Sequence, residues 1–384
     1  MKPADFTGAQ RKHLRALGDG NHAFVPPSAP TAIPLSTSLV NALADANHAL
    51  GNLEGTGRHL SNPRLLIGPY LRREAVLSSR IEGTETGYSD LMLFEAGETA
   101  ESPDTREVLN YVDALESGVL RLQELPVSLR LVRELHATLM KGVRGGDRAP
   151  GEFRRMQNFV APRGTPIEDA AYVPPPAGPV LEGALDDWER FIHREDEIPL
   201  LIRCAWMHYQ FETIHPFIDG NGRTGRLLIP LLLIERGALS QPMLYVSAYL
   251  EQHRAAYYDS LMAGRLRGDL VPWIALFLEA VKTQAADAIT RAERLNALRE
   301  SYHGRFQKSR SGVLRPLIDE LFARQALTVP SLARQLQVSE PTVQLAVNVL
   351  AAAGILHLGH RNRRGRVYIA HEIVAAIMPE DAAE

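Results

Sequence analysis

Between His215 and Arg226 the chain reads HPFIDGNGRTGR, and so dense a loop restricts what the surrounding polypeptide can be. Glycines at 220, 222 and 225 let backbone N–H groups close on an anion, a helix starting directly after them turns its positive end to it, and Arg223 and Arg226 add charge. Asp219 contributes the hard oxygen that Mg2+ favours, and His215 a base whose ordinary pKa lies near neutrality. This is equipment for a polyphosphate. The glycines also spell the GxGxxG of dinucleotide folds, but that motif needs a strand before it and an acidic residue about 20 positions later. The preceding segment, LLIRCAWMHYQF from Leu200 to Phe211, has the length of a helix, and no strand–helix–strand alternation surrounds it.

Helical spacing dominates the rest. Apolar residues recur every three to four positions over Leu39 to Leu53, Leu65 to Ile81, Val108 to Leu125, Ser128 to Met140, Val180 to His193, Ile198 to Phe211, Leu227 to Glu235, Ala255 to Leu266 and Pro272 to Leu298. Two stretches break the rhythm. Residues 23 to 36, AFVPPSAPTAIPLS, predict an extended proline-rich arm, and the glycine- and proline-rich run Gly145 to Pro176 predicts a hairpin with its edge at Met156 to Val160.

The chain's 384 residues, 45% hydrophobic and 23% charged, suffice for two or three ordinary globular units. A net charge of −3 gives no general attraction to nucleic acid or anionic membrane, and the lone Cys204 excludes an intrachain disulfide and reads as a buried thiol. No apolar run is long enough to span a bilayer or to form a signal-peptide core, so a cytoplasmic chain with no membrane partner is expected.

The last part of the chain has its own pattern. Leu314 to Arg324 is amphipathic, Thr328 caps a second helix ending near Leu336, and Ser339 with Pro341 starts a third that stops at Gly354. Ile355 to Leu358 and Arg366 to Ala370 read as two short strands around the basic loop His360 to Gly365. Three helices with such a wing resemble a winged helix-turn-helix. Its third helix offers Glu340, Thr342, Gln344 and Asn348 without any lysine or arginine, whereas the wing holds Arg361, Arg363, Arg364 and Arg366. Contact with DNA phosphates and contact with protein both stay open.

Far upstream, LRREAVLSSRIEGTETG places Ser78 and Glu82 four residues apart, on one face of a helix that Gly83 is suited to end. A carboxylate in the last turn sits at the negative end of the helix dipole and calls for a cation from elsewhere in the fold.

The loop matches, at every specified position, the signature HPFx(D/E)GNGRxxR of the Fic family, and Ser78-x-x-x-Glu82-Gly83 matches the inhibitory-helix motif (S/T)xxxE(G/N) of its class II members. The resemblance covers nearly the whole chain and implies a mainly α fold. Its parts are an N-terminal helical region over 1–115 with the inhibitory helix at about 65–83, a Fic-type helical core with a β-hairpin flap over 116–283, a linker helix over 284–312 and a C-terminal winged helix-turn-helix domain over 313–378.

The implied activity is transfer of AMP from ATP to a hydroxyl of a target protein, or of the chain itself. In that family the residue at His215 takes the proton of the attacking hydroxyl, and the one at Asp219 holds Mg2+ against the α- and β-phosphates. Gly220, Asn221 and Gly222 correspond to an anion nest, and Arg223 and Arg226, with Thr224 and Gly225 between them, to the clamp on the remaining phosphates. Pro216 and Phe217 shape the loop. Tyr257 and Tyr258 match a pair lining the base and ribose pocket, with plain aromatic packing open for one of them. Glu82 corresponds to the residue that pairs with the second arginine, here Arg226, and spoils the seat of the γ-phosphate. Glycine rather than lysine at 222 separates adenylylation from the family's phosphorylating branch. Gly151 to Pro176 resembles the flap to which a target segment adds as a strand. His208 reads as a structural histidine, not a zinc ligand. Relatives often form homodimers. Two other readings compete: removal of AMP from a modified target, with Glu82 activating water, and a nucleotide-sensing transcriptional regulator.

Overall fold

A computed structural model describes residues 1–18, 20–59, 63–97, 102–143, 149–162, 164–362 and 365–378. The chain begins with a one-turn helix, α1 (Gly8–Arg11), and an antiparallel hairpin of β1 (Leu14–Gly18) and β2 (Asn21–Phe24). Helical periodicity gives no hint of this hairpin; its signal is the pair Gly18 and Gly20, whose φ values of 98° and 77° favour glycine. Phe24 ends the hairpin in a small satellite core with Phe6, Tyr172 and Val173, and its N–H donates to the Val173 carbonyl at 2.9 Å. Of the arm expected over residues 23–36, Ala23 and Phe24 belong instead to β2; residues 25–36 run without helix or strand, tied down where Ser28 Oγ donates to Asp187 (2.8 Å) and Gln210 Nε2 to the Pro27 carbonyl (3.2 Å).

Helices then follow one another: α2 (Thr37–His59), α3 (Pro63–Ile81), α4 (Tyr88–Glu95), α5 (Pro103–Arg121), α6 (Leu129–Leu139), α7 (Pro179–His193), α8 (Leu200–Ile214), α9 (Asn221–Glu235), α10 (Ser247–Gln252), α11 (Arg254–Arg267) and α12 (Val271–Arg305). Local chemistry starts several of them. Ser102 Oγ accepts the Thr105 N–H (3.0 Å) ahead of Pro103 in the first turn of α5, and Ser128 Oγ accepts the Leu131 N–H (3.4 Å) at α6. Burial from Leu201 to Ile214 and from Asn221 to Leu233 makes α8 and α9 the centre of the bundle. Trp188 of α7 and Trp273 of α12, neither with any exposure, donate their indole N–H groups to the Met207 (3.0 Å) and Ala205 (2.7 Å) carbonyls of α8. Gly118 permits the close approach of α5, α6 and α9, because a Cβ there lies 3.0 Å from both Leu135 and Leu231. Cys204 is buried in this centre, which pushes its thiol up to about 12.

The expected flap over 151–176 departs most from its sequence reading. Met156 to Val160 form no strand; a single antiparallel bridge joins Val160 to Tyr172 through N–H···O bonds of 2.8 and 3.2 Å. Prolines at 162, 166, 174, 175 and 176 remove the donors that a longer ladder needs. The edge beyond the bridge stays unpaired by strand, with Met156 67% and Phe159 39% exposed.

α12 contains 35 residues and packs along α2. It passes residues 283 and 284 without interruption, so the expected start of a linker helix falls inside one rod. Beyond it lie α13 (Leu314–Ala323), β3 (Ala326–Thr328), α14 (Val329–Leu336), α15 (Glu340–Ala352), β4 (His357–Asn362), β5 (Gly365–Ile369) and α16 (His371–Ile377). Thr328 and Ser339 cap α14 and α15 as their positions suggest. The sheet has three strands, not two, in the antiparallel order β3-β5-β4, since Ala326 to Thr328 pair with Val367 to Ile369. Arg363 and Arg364 of the expected wing lie outside the described residues; Arg366 is exposed. This C-terminal unit is packed onto the body: α13 and α16 lie against α3, and the Tyr88 hydroxyl of α4 donates to Gln325 Oε1 at 2.9 Å in a buried bond. Among the described residues no helix is long and apolar enough to cross a membrane.

Candidate active site

The loop is made by two backbone reversals. α8 stops because His215 takes a left-handed conformation (φ 49°), and α9 starts after Gly220, also left-handed (φ 75°). Gly220 is required there twice over, since a Cβ on it lies 2.8 Å from Met140 Sδ. Asn221 braces the turn between them: its Oδ1 accepts the Phe217 N–H and its Nδ2 donates to the Phe217 carbonyl, both at 2.9 Å. Thr224 Oγ1 donates to the Gly220 carbonyl at 2.8 Å. The side chains of Asn221 and Thr224 therefore build the loop, and only their backbones can join an anion nest.

His215 is half-buried and its Nδ1 has no hydrogen-bond partner among the described residues. Burial, with Arg265 and Arg154 adding positive charge, pushes it down to about 3, so the ring is neutral and able to take a proton. Asp219 Oδ1 accepts the Gly220 N–H (2.7 Å) while the side chain stays 45% exposed. Among the described residues no cluster of three or more His, Cys, Asp or Glu could hold a metal unaided. One open carboxylate suits Mg2+ that arrives with phosphates, an ion commonly held by one or two carboxylates plus substrate oxygens.

Arg226 is 1% exposed and held through its Nε and Nη2. Its Nε donates to Ser78 Oγ (2.8 Å), and its Nη2 to the Ser78 carbonyl (2.9 Å) and to Glu82 Oε1 (2.7 Å). It is thus the cation that Glu82 requires. Burial raises the Glu82 pKa, but Arg226 outweighs it and holds the carboxyl below its ordinary range, although 34% of the side chain remains open to solvent. α3 ends at Ile81, and Gly83 reverses the chain with φ 92°. Glu82 reaches into the hollow left by Gly222, where a Cβ lies 2.0 Å from its Oε1.

Arg223 is held separately, its Nη1 donating to Glu107 Oε2 of α5 at 2.8 Å. Of the tyrosine pair, Tyr257 is buried and its hydroxyl meets His208 Nε2 at 2.9 Å, while Tyr258 is 41% exposed. Plain packing describes Tyr257, and Tyr258 alone is presented outward. The His208 bond agrees with its structural reading.

Three residues near the loop escape sequence reasoning. His136 of α6 stacks on Phe217 at 3.6 Å with the rings 1° from parallel; its Nδ1 accepts the Gly151 N–H (2.9 Å), which leaves the proton on Nε2 to be donated to the Asp219 carbonyl (3.0 Å). Burial pushes it down to about 4. Arg154 joins flap to loop, its Nε donating to the His215 carbonyl (3.0 Å) and its N–H to that of Pro216 (2.9 Å). Burial lowers its guanidinium to about 10. Glu212 is 7% exposed, its Oε1 lacks a partner among the described residues, and burial with Glu82 nearby pushes it up to about 7. Glu212 is one of several polar residues, with Arg203, His208 and Gln210, in a helix buried along its length, so composition does not single it out, and nothing beyond amphipathic spacing marks His136.

Residues 40–120 match the model of the Fic/DOC family N-terminal region, and residues 126–233 that of the Fic/DOC family. Proteins named "Protein adenylyltransferase Fic" resemble the central part: that of Drosophila persimilis is 33% identical over 155 residues, which is 40% of this chain and 27% of that protein. The one from Drosophila virilis is 32% identical over 155 residues, 40% of this chain and 28% of its own. The match thus spans little more than a quarter of these relatives. Among solved structures, a Fic family protein from Desulfovibrio desulfuricans superposes with a TM-score of 0.56 at 19% identity, covering 89% of this chain and 98% of the other. A fragment of Fic-1 from C. elegans gives 0.52 at 22% identity, covering 67% and 75%. At these identities the likeness speaks for the fold alone.

Proposed function

This chain carries a Fic/DOC N-terminal region followed by a Fic domain, and on that premise we propose that it is an adenylyltransferase held off by its own Glu82. The carrying observation is the seat of Glu82: a carboxylate 2.7 Å from Arg226, in the hollow that Gly222 leaves beside the anion loop. A γ-phosphate seeking Arg226 meets that carboxylate first. ATP fits the remaining cradle through the Gly220 and Gly222 backbones and Arg223, with Tyr258 beside the base.

In the proposed reaction the oxygen of a target hydroxyl bonds to the α-phosphorus, the bond from that phosphorus to the bridging β oxygen breaks, and pyrophosphate leaves. The hydroxyl proton passes to the neutral ring of His215, a residue whose backbone carbonyl accepts from Arg154 Nε. Asp219, with the phosphate oxygens, would hold Mg2+, whose chemistry there would be charge compensation. The target presents its hydroxyl from an extended segment laid along Met156 to Val160, where Met156 to Phe159, ahead of the bridge at Val160, leave room for strand addition. The C-terminal unit is read as a winged helix; Leu345, 68% exposed, and Val349, 44% exposed, on α15 suit protein contact better than phosphate contact.

The test uses Glu82→Gly with two labelled forms of ATP. Protein labelled from the α-phosphate and not from the γ-phosphate supports adenylylation. Label from the γ-phosphate alone, or from neither, overturns it. A second reading rests on the exposure of Glu82: an ionised carboxylate open to solvent beside the loop can activate water for removal of AMP. Release of AMP from a modified protein by the unaltered chain, lost in Glu82→Gly, would favour it.

A further inference from the structure

Arg223 and Arg226 stand one helical turn apart, yet they are held from different sides. Arg223 relies on Glu107, a residue of α5 outside the loop sequence and outside the segment of Ser78 and Glu82. Its Nη1 donates to Glu107 Oε2 at 2.8 Å, with only 4% and 12% of the two side chains exposed. The other arm, Nη2, lies 3.9 Å from Asp219 Oδ1 and donates to Met140 Sδ at 4.0 Å, and the buried Nε has no partner among the described residues. One arm of the fork is therefore anchored on a carboxylate, while Nη2 has only a long bond to a weak thioether acceptor that an incoming anion can replace. Glu107 Oε2 also accepts the Thr84 hydroxyl at 3.2 Å, and Thr84 stands two residues after Glu82.

We propose that Glu107 is a positioning residue that aims Arg223 at the phosphates of the nucleotide and, through Thr84, ties that aim to the segment carrying Glu82. An unanchored arginine samples many rotamers and must be ordered when a ligand binds; one already fixed by a buried charge-assisted bond presents its free donors in place. A second carboxylate in α5 thus has the opposite effect from Glu82: Glu82 occupies its arginine, and Glu107 readies the other. Thr84 joins the two. The residues after Gly83 cannot move away without giving up the Thr84 bond, so displacement of Glu82 reaches Arg223 as well.

The inference rests on the nucleotide-binding reading above, and calorimetry on the full chain can separate the two. In the Glu82→Gly background, with ATP and adenosine as probes, Glu107→Ala should weaken ATP about tenfold, the size of a lost charge-assisted contact, and leave adenosine unaffected. Glu107→Gln keeps an acceptor for Arg223 and should restore most of the ATP affinity. In the chain with Glu82 intact, Thr84→Val should change ATP affinity while Glu107 is present and not once Glu107 is alanine. Unchanged ATP affinity in Glu107→Ala overturns the proposal. So does an equal loss for ATP and adenosine, the mark of general damage, and so does a Thr84→Val effect that ignores residue 107. If Glu82→Gly itself binds no ATP, the functional reading falls, and this inference falls with it.

Discussion

Replacing Glu82 by glycine removes one contact and little else. The residue lies just past the end of α3 at Ile81, so glycine there does not weaken a helix interior. The lost contact is a 2.7 Å bond from an arginine 1% exposed to a carboxylate 34% exposed. Charge-assisted hydrogen bonds contribute roughly 1.5–3 kcal/mol. Solvent at Glu82 draws the figure to the lower end, about 1.5 kcal/mol. At about 1.4 kcal/mol per factor of ten, the γ-phosphate gains about tenfold in its competition for Arg226. Arg226 also keeps only Ser78 as partner, a buried cation short of negative charge, which acts in the same direction. Transfer from α-labelled ATP, followed at limiting ATP, should rise by about that factor. Glu82→Gln, which keeps an acceptor without the charge, should fall between parent and glycine variant. Equal rates in all three proteins would refute the claim that Glu82 competes for Arg226.

His215→Ala should abolish transfer with ATP affinity nearly intact; unchanged transfer would remove His215 from the base role. Because burial holds the parent's His215 at about 3, its ring proton resonances should not titrate between roughly pH 5 and 8, and a midpoint at the ordinary 6.5 would contradict that burial. Gly222→Ala puts a Cβ 2.0 Å from Glu82 Oε1 and so expels the carboxylate. Adding Glu82→Gly to it should therefore change transfer little, and a full additive gain would show that Glu82 still sits on Arg226. Glu212, raised to about 7 in the fold, contributes stability at low pH that is lost as pH rises through 7. Relative to the parent, Glu212→Gln should gain about 2 kcal/mol between roughly pH 5.5 and 8 by chemical denaturation, and a constant difference would contradict the raised carboxyl.

The loop was legible because its chemistry is contiguous: His215, Asp219 and both arginines fall within three helical turns of sequence, and their spacing survives folding intact. Ser78 and Glu82 were legible for a related reason: although α3 ends at Ile81, Glu82 follows it directly, and both residues still meet Arg226. Glu107, His136 and Arg154 were not. Glu107 and His136 each sit on a helix whose pattern reports only the buried stripe, Arg154 lies in irregular chain, and each acquires meaning from a partner far along the chain: Arg223, Phe217 with Asp219, and the His215 carbonyl. The flap failed differently. Met156 to Val160 has strand composition, but a strand also needs a partner able to donate, and the prolines opposite leave one bridge at Val160. The hairpin at Leu14 to Phe24 was overlooked because its strands are short and mostly uncovered, so neither carries a clean alternation.

α3 carries Ser78 toward Arg226 and, on other faces, receives α13 and α16 from the end of the chain. The consequence is genetic. A selection for chains released from Glu82 would return changes at 78 and 82 but none at 226, which the γ-phosphate needs, and also apolar substitutions on the buried face of α13 and at Gln325, where the Tyr88 bond is lost. Such suppressors would look unrelated to nucleotide chemistry, and their map would trace how far the hold on the loop is distributed.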